Sequence, residues 1–385
     1  MIAMKTSDQL PCSKHVGINR GRLALGGLAF LLLTVVIFWY QFHRIEAGSA
    51  APQWDRLRWG YLLLVLLCLP IETVASALRI RLLCRVLRPG VNLWTCIKAE
   101  WANVAVSMLT PSQTGGGPAQ IYIMSREGVN AGTALTISLL SFVGTMVGLL
   151  CMGLYSLLVS GMSDAGYLFA AAVWSIIAIS AAMFLAALWP ALFRRALATA
   201  SRTFWSLRGR HDRLRDWWPP GEARTGAPVE RMGDFAAKLA DIVYDYRDDV
   251  TRFLRAGKAS FAAVCLLSLV FLFSRCLMPY LCIRFLGIAA STPRQVIETQ
   301  MALNFLVFFA PTPGGAGVTE GASLSIMGGI VPPGFAPYYN LLWRFSTLYL
   351  AAGAGLFCLL SALMQDARRI ARNADKKPDP ERRLP

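Results

Sequence analysis

Charged residues are scarce in this chain, and their scarcity excludes an ordinary water-soluble domain. Only 16% of the 385 residues are charged, whereas 55% are hydrophobic, and soluble proteins are rarely so apolar. The net charge is nevertheless +16. Because the Arg and Lys residues flank the apolar stretches, we attribute this charge to membrane topology and to anionic headgroups. We therefore expect no binding of nucleic acid.

The sequence also lacks the residue clusters of metal sites and of common enzymes. Its three histidines, His15, His43 and His211, are scattered and do not have the spacing of metal ligands. The nine cysteines are an odd number and include no CxxC pair, so we expect no disulfide framework. No Ser/His/Asp or Cys/His group can be assembled, and Asp248 and Asp249 lack a DxD spacing. We predict a protein that is not an enzyme, with no catalytic residue, metal or cofactor.

Long apolar runs are abundant instead, and they predict an all-α polytopic membrane protein. A helix needs about 20 apolar residues to cross the hydrocarbon core of a bilayer. Two apolar segments, 96–124 and 297–330, are interrupted by Pro and Gly, and we predict that they are broken or re-entrant helices. Uninterrupted runs predict six full spans at 21–40, 59–80, 131–160, 167–189, 259–281 and 338–364.

Basic residues predict the sidedness of the spans. They are concentrated before residue 22, at 79–88, in the connection 194–258 and after residue 367. The positive-inside rule makes these regions cytoplasmic, with both termini on the cytoplasmic side of the plasma (inner) membrane. The first broken segment then enters and leaves from the cytoplasm, and the second from outside. The predicted organisation is a cytoplasmic tail (1–20), a first transmembrane half (21–160), a second half (161–364) with a cytoplasmic insert (194–258), and a cytoplasmic tail (365–385).

The two broken segments resemble each other at a separation of 200 residues. The stretch TPSQTGGGPAQ at 110–120 aligns with APTPGGAGVTE at 310–320. Each half then reads span, span, broken helix, span, and the two halves are inverted, as in many secondary transporters. The alternative is that both segments are only tight packing turns between helices. The predicted helix-break residues are Pro111, Gly115, Gly116, Gly117, Pro311, Pro313, Gly314, Gly315 and Gly317.

Ionisable residues inside apolar sequence predict a binding site. Each costs at least ~2.5 kcal/mol at the centre of a bilayer, so a partner or cavity is expected. Arg79 and Arg275 are 196 residues apart, close to the repeat offset, and we predict that both contact one phosphate through their planar guanidinium groups. A structural ion pair of Glu72 with either arginine is the alternative. The predicted substrate-binding residues are Glu72, Arg79, Glu100, Asn103, Arg275, Asn304, Glu320 and Arg344, of which Glu100 or Glu320 is predicted to carry a coupling proton.

The motifs TPSQTGGGPAQIYIMSREGV at 110–129 and PTPGGAGVTEGA at 311–322 resemble the flippase-like membrane domain of the lysylphosphatidylglycerol synthases. Glu72 and Arg79 add support, and the resemblance covers roughly residues 21–364. It implies a lipid flippase or transporter with the Gly/Pro segments and the buried charges on the translocation path. Because the chain ends soon after the last span, we expect no soluble aminoacyl-transferase domain and no lysyl transfer.

Two functions follow from these expectations. The leading hypothesis is a transporter that is not driven by ATP and moves a polar or anionic lipid, of phospholipid, isoprenoid or hopanoid type, between leaflets. The alternative is a membrane subunit or lipid-binding scaffold of a lipid or envelope pathway that transports nothing, with the insert 194–258 as its docking surface. The sequence does not indicate the oligomeric state.

Overall fold

The computed structural model describes residues 20–43, 52–110, 113, 115–160, 245–246, 248–288, 292–308, 310 and 312–375. Within these residues the chain forms helices and no strand, which confirms the all-α class. A π-helical turn, Phe345–Tyr349, joins the last two helices. The helices are α1 (Arg20–His43), α2 (Trp59–Leu87), α3 (Leu93–Leu109), α4 (Gly116–Arg126), α5 (Ala131–Ser160), α6 (Lys258–Phe285), α7 (Pro293–Phe308), α8 (Val318–Ile326), α9 (Ala336–Arg344) and α10 (Leu350–Asp375).

Four helical stretches of the described chain are long and apolar enough to cross a membrane. They are Trp59–Leu87, Ala131–Met152, Lys258–Phe285 and Pro333–Arg369. Each coincides with a predicted span, although the last begins before residue 338 and continues well past residue 364. The first predicted span, 21–40, lies within α1. The predicted span 167–189 and most of the insert 194–258 lie outside the described residues.

Helices α2 and α6 pack against each other in opposite directions. The start of α2 meets the end of α6, where the Arg58 N–H donates to the Phe285 carbonyl at 3.0 Å. Further along α2, the Arg79 side chain reaches Ser268, which is much earlier in α6. These helices hold equivalent places in the two halves of the sequence. Their opposite directions are those expected of equivalent helices in an inverted repeat.

Each broken segment folds into a hairpin of two helices. Helix α4 packs against α3, and Ala119 of α4 shares a buried cluster with Ala99 of α3. Helix α8 packs against α7, and Met327, directly after α8, shares a second buried cluster with Val296 of α7. The first cluster includes the end of α2, whereas the second includes residues near its start. The two hairpins thus enter the helix bundle from opposite ends.

Several basic segments come together at the end of the bundle where α2 ends. Phe253, from the helical residues 248–256, lies in the same buried cluster as Leu87 of α2. Arg126 at the end of α4 forms an ion pair of 3.1 Å with Asp366 of α10. Segments that are far apart in the sequence thus share what we call the basic end, as their charge pattern predicts. Its basic residues include Arg85, Arg88, Arg126, Arg252 and Lys258.

Candidate functional site

Two hydrogen bonds hold the first break against the end of α3. The Gly115 N–H donates to the Thr110 hydroxyl at 2.9 Å. The Ser107 hydroxyl donates to the Gln113 carbonyl at 3.2 Å. Side chains at and just after the end of α3 thus satisfy backbone groups that the interruption of the helix leaves unpaired. The predicted break residue Pro111 lies outside the described residues.

The glycines of the first break differ in how much space they have. A Cβ added at Gly116 would lie 1.9 Å from Asn103 Oδ1 and 2.9 Å from the Asn103 backbone carbonyl oxygen, so a larger residue would force α4 away from α3. At Gly117 the nearest atom would be Ser138 Oγ at 3.7 Å, which is ordinary contact. The close approach of α3 and α4 therefore depends on Gly116. It also places Asn103 beside the N-terminus of α4.

The second break depends on glycines in the left-handed region of backbone conformation. Gly314, Gly315 and Gly317 have φ angles of 58°, 68° and 83°, which residues with a Cβ rarely adopt. Pro313 begins the short 3-10 turn within this break. Pro311, the other proline predicted to interrupt the helix, is outside the described residues.

Arg344 binds the second break at two points, one within the break and one in the helix that follows it. Its Nε donates to Glu320 Oε1 at 2.7 Å, and one of its terminal nitrogens donates to the Gly314 carbonyl at 2.9 Å. The other carboxylate oxygen of Glu320 accepts the Gly317 N–H at 2.7 Å, at the start of α8. The Arg344 and Glu320 side chains are only 6% and 4% exposed. This ion pair is a fixed part of the break.

The two breaks meet inside the bundle. Leu109, the last residue of α3, shares a buried cluster with Ala316 of the second break and with Phe30 of α1. A Cβ added at Gly314 would lie 3.3 Å from the Met108 carbonyl oxygen, so the second break also approaches the backbone of α3. The backbone of the second break therefore lies against the end of α3, where the first break begins.

Arg79 is buried and surrounded by hydrogen-bond partners. Its guanidinium group donates to Thr145 Oγ1 at 2.6 Å, to Ser268 Oγ at 3.2 Å and to Ser76 Oγ. Ser76 in turn donates to Glu100 Oε1 at 2.8 Å, and that oxygen lies 3.9 Å from the guanidinium. Arg79 thereby connects α2, α3, α5 and α6. Such contacts offset the cost of burying a charge.

Arg275 is held more loosely than Arg79. Its Nε lies 3.8 Å from Glu72 Oε1, and its NH2 group donates to the Thr347 carbonyl at 3.4 Å. Both distances exceed the roughly 2.7–2.9 Å of a good charged hydrogen bond. The Arg275 side chain is 32% exposed. It can accept another ligand without losing a strong contact.

The two arginines make reciprocal contacts across α2 and α6. Arg79 of α2 reaches Ser268 of α6, and Arg275 of α6 reaches Glu72 of α2. In each helix the arginine follows the residue contacted by its counterpart by seven positions, since 79 − 72 = 7 and 275 − 268 = 7. Both guanidinium groups also lie over the Phe271 ring, at 4.7 Å and 5.6 Å from its centroid. Such exchange is expected of an inverted pair of helices.

A short distance along one helix separates this charge cluster from the second break. Arg275 contacts the Thr347 carbonyl, and Arg344 precedes Thr347 by three residues, which is less than one helical turn. Thr347 belongs to the π-helical turn Phe345–Tyr349. Turns of this kind often mark functional sites.

Seven of the eight predicted substrate-binding residues fall into three groups. Glu72, Arg79, Glu100 and Arg275 converge between α2, α3 and α6, and we call them the central cluster. Arg344 and Glu320 pair at the second break, and Asn103 lies at the first. Asn304 donates to Cys276 Sγ at 3.4 Å, next to Arg275 in the sequence. That these residues contact substrate stays a prediction, and Arg79 and Arg344 are already engaged by protein groups.

Sequence reasoning missed several uncharged members of the central cluster. Ser76, Thr145, Ser268 and Phe271 all contact the arginines. Ser76 lies three residues before Arg79 on the same helix, a spacing that places two polar side chains on one face and that could have marked it. No local signal marks Thr145 or Ser268, because their roles depend on how distant helices cross.

Comparison with known proteins is consistent with this architecture. No curated protein matches the chain. The family described as the lysylphosphatidylglycerol synthase TM region matches residues 25–355, a range that includes both breaks and all six charged residues of the site. This multi-pass membrane protein therefore belongs to the lysylphosphatidylglycerol synthase transmembrane-region family.

Proposed function

We propose that this protein is a transporter that moves a lipid with a polar or anionic headgroup between the two leaflets of a membrane. One observation carries the proposal. Two helix breaks enter the bundle from opposite ends and meet, with Leu109 and Ala316 in one buried cluster. Discontinuous helices in inverted repeats are where secondary transporters build their substrate sites.

The chemistry of the breaks suits a headgroup that crosses an apolar core. Irregular backbone at membrane depth must be satisfied by protein or by a water-filled path. Here each break lies against the other, so a small movement of one hairpin opens a polar route to one end of the bundle. The opposite movement opens the other end, which is the plan of alternating access.

Arg275 is the residue that we assign to the headgroup. A guanidinium group binds two phosphate oxygens with its parallel N–H donors. Arg275 has free capacity for such a ligand, because its protein contacts are long and its side chain is 32% exposed. Arg79 and Arg344 instead hold the helices around the site.

The family supports a role with membrane lipids, and the charge pattern supports an orientation. We propose that the basic end faces the cytoplasm and that the protein resides in the plasma (inner) membrane, with phospholipids, isoprenoid lipids and hopanoid-type lipids as the candidate cargo. We further propose transport without an enzymatic step. Among the described residues, no group of three or more His, Cys, Asp or Glu side chains gathers around a possible metal position.

Reconstitution tests the proposal directly. The full chain in liposomes should accelerate the exchange of labelled phosphatidylglycerol between leaflets over the rate in protein-free vesicles. A quencher that cannot cross the bilayer reports the fraction of label that has changed sides. If no labelled phospholipid, isoprenoid phosphate or hopanoid lipid exchanges faster than in empty vesicles, the transport proposal fails and the scaffold alternative is favoured.

A further inference from the structure

The charged side chains of the central cluster and of the second break sum to zero when no ligand is bound. At neutral pH the formal sum of three arginines and three glutamates is 3 − 3 = 0. A net anionic headgroup would leave this buried region with one uncompensated negative charge. Such a charge is costly in a medium of low dielectric constant, so a cation must accompany the anion. The six groups are Glu72, Arg79, Glu100, Arg275, Glu320 and Arg344.

Two of the three carboxylates already have close hydrogen-bond donors. Glu320 accepts Arg344 Nε and the Gly317 N–H, both at 2.7 Å. Glu100 accepts the Ser76 hydroxyl at 2.8 Å and has Arg79 at 3.9 Å. None of these donors belongs to Arg275, so a ligand that binds Arg275 leaves the closest partners of both carboxylates in place.

Glu72 is held differently. Among the described residues its ion-pair partner is Arg275, at 3.8 Å, which is too far for a hydrogen bond. Arg79 and Glu100 are the other charged groups that act on it, from α2 and α3. The nearby parts of α5 and of the π-helical turn present Thr145 and the Thr347 carbonyl to the arginines, and these carry no charge. The charge of Glu72 thus depends mainly on Arg275.

We propose that Glu72 takes up one proton when a net anionic lipid headgroup binds Arg275. The inference rests on the proposed function and names how the same site keeps its charge balance. The N–H groups of Arg275 donate to the phosphate oxygens, and the positive charge of Arg275 then no longer compensates the carboxylate of Glu72. A hydronium ion from the bulk solution then gives its proton to the Glu72 carboxylate, which becomes the neutral acid, and is left as water. Release of the headgroup reverses both steps, so one anion and one proton cross together.

Binding should therefore depend on pH and on the net charge of the lipid. Because a proton is taken up, the affinity for phosphatidylglycerol should fall as pH rises, by up to about tenfold per pH unit. Phosphatidylcholine carries a phosphate and its own cation, so it leaves the sum of charges unchanged. Its affinity should not depend on pH over the same range.

Calorimetry of the detergent-solubilised full chain measures the proton directly. Short-chain phosphatidylglycerol is titrated in two buffers of different ionisation enthalpy, and short-chain phosphatidylcholine serves as the zwitterionic control. We expect an uptake that approaches one proton per bound phosphatidylglycerol at mildly alkaline pH, where Glu72 is ionised before the lipid binds, and none with phosphatidylcholine. Binding of phosphatidylglycerol without proton uptake overturns the inference. Dependence on sodium concentration in place of pH overturns it as well, because a metal ion would then be the companion cation.

The variant Glu72→Gln identifies the group that takes the proton. It should bind phosphatidylglycerol without proton uptake and with a pH-independent affinity, while phosphatidylcholine binding shows that it is folded. Glu298→Gln, which also removes the carboxylate of a Glu–Arg pair, should retain the proton uptake. Uptake that persists in Glu72→Gln contradicts the assignment. Failure of the wild-type protein to bind either lipid would instead overturn the proposed function, and the inference with it.

Discussion

Arg79 and Arg275 hold equivalent positions on the antiparallel helices α2 and α6, yet their surroundings differ. Arg79 is 3% exposed and donates to Ser76, Thr145 and Ser268. Arg275 has a third of its side chain exposed and contacts at 3.4 Å or more. One copy of a duplicated arginine can thus stabilise the bundle while the other stays available to a ligand. Neither the repeat nor the residue type alone assigns these roles.

Removal of Arg79 should have the largest effect on stability. Arg79→Ala leaves Glu100 and three hydroxyl groups without their shared partner, and breaking a buried ion pair costs about 3–5 kcal/mol. Chemical denaturation in detergent measures the free energy of unfolding. Arg85→Ala on the exposed face of the same helix is the control, with an expected change below about 0.5 kcal/mol. If Arg79→Ala were as stable as Arg85→Ala, Arg79 would not have the structural role that distinguishes it from Arg275.

Removal of Arg275 should show the opposite balance. Arg275→Ala should lower phosphatidylglycerol exchange at least about tenfold, because a charged hydrogen bond to the headgroup contributes about 1.5–3 kcal/mol. Its unfolding free energy should change by no more than about 1 kcal/mol, because its ion pair is long and partly exposed and because Glu72 takes up a proton when its charged partner is removed. Arg294→Ala, whose side chain is 67% exposed and pairs with Glu298, should retain exchange. Normal exchange in Arg275→Ala would contradict the headgroup assignment.

Phe271 offers a smaller test, because both guanidinium groups lie over its ring. Phe271→Leu keeps an apolar side chain but removes the cation–π contacts, and we expect a loss of about 1 kcal/mol in unfolding free energy. Exchange should fall less than about threefold, which corresponds to under about 0.7 kcal/mol. Phe273→Leu, two residues away and 49% exposed, should change neither quantity. If Phe271→Leu lowered exchange more than Arg275→Ala, the ring of Phe271 and not Arg275 would be the main determinant of headgroup binding.

Much of the fold could be predicted from the sequence, because it follows from local chemistry. Apolar length marks α2, α5 and α6 as spans, and the duplicated Pro/Gly stretches mark both breaks. The last span was predicted as well, within the helical stretch Pro333–Arg369. The π-helical turn Phe345–Tyr349 inside that stretch was not predicted. A π-helical turn shifts the backbone hydrogen bonds by one residue, and this shift does not alter the pattern of apolar residues from which the span was predicted.

The partners of the charged residues could be predicted only in part. Either arginine was a possible partner of Glu72 from the sequence, and the antiparallel crossing of α2 and α6 pairs it with Arg275. The sequence also did not distinguish the hydrogen-bonded Glu100 and Glu320 from the loosely held Glu72. These contacts join residues far apart in the chain. They depend on the angle and register of helix crossings, which single-sequence patterns do not specify.

The central claim is that lipid passes where the two helix breaks meet. Leu109→Cys and Ala316→Cys, introduced together into a background without the nine native cysteines, place one thiol on each side of this contact. A short cleavable crosslinker should join them in the membrane, and crosslinked protein should lose phosphatidylglycerol exchange until a reductant restores it. The single variants, treated in the same way, should retain exchange. Lipid exchange at the full rate in the crosslinked protein would contradict the account.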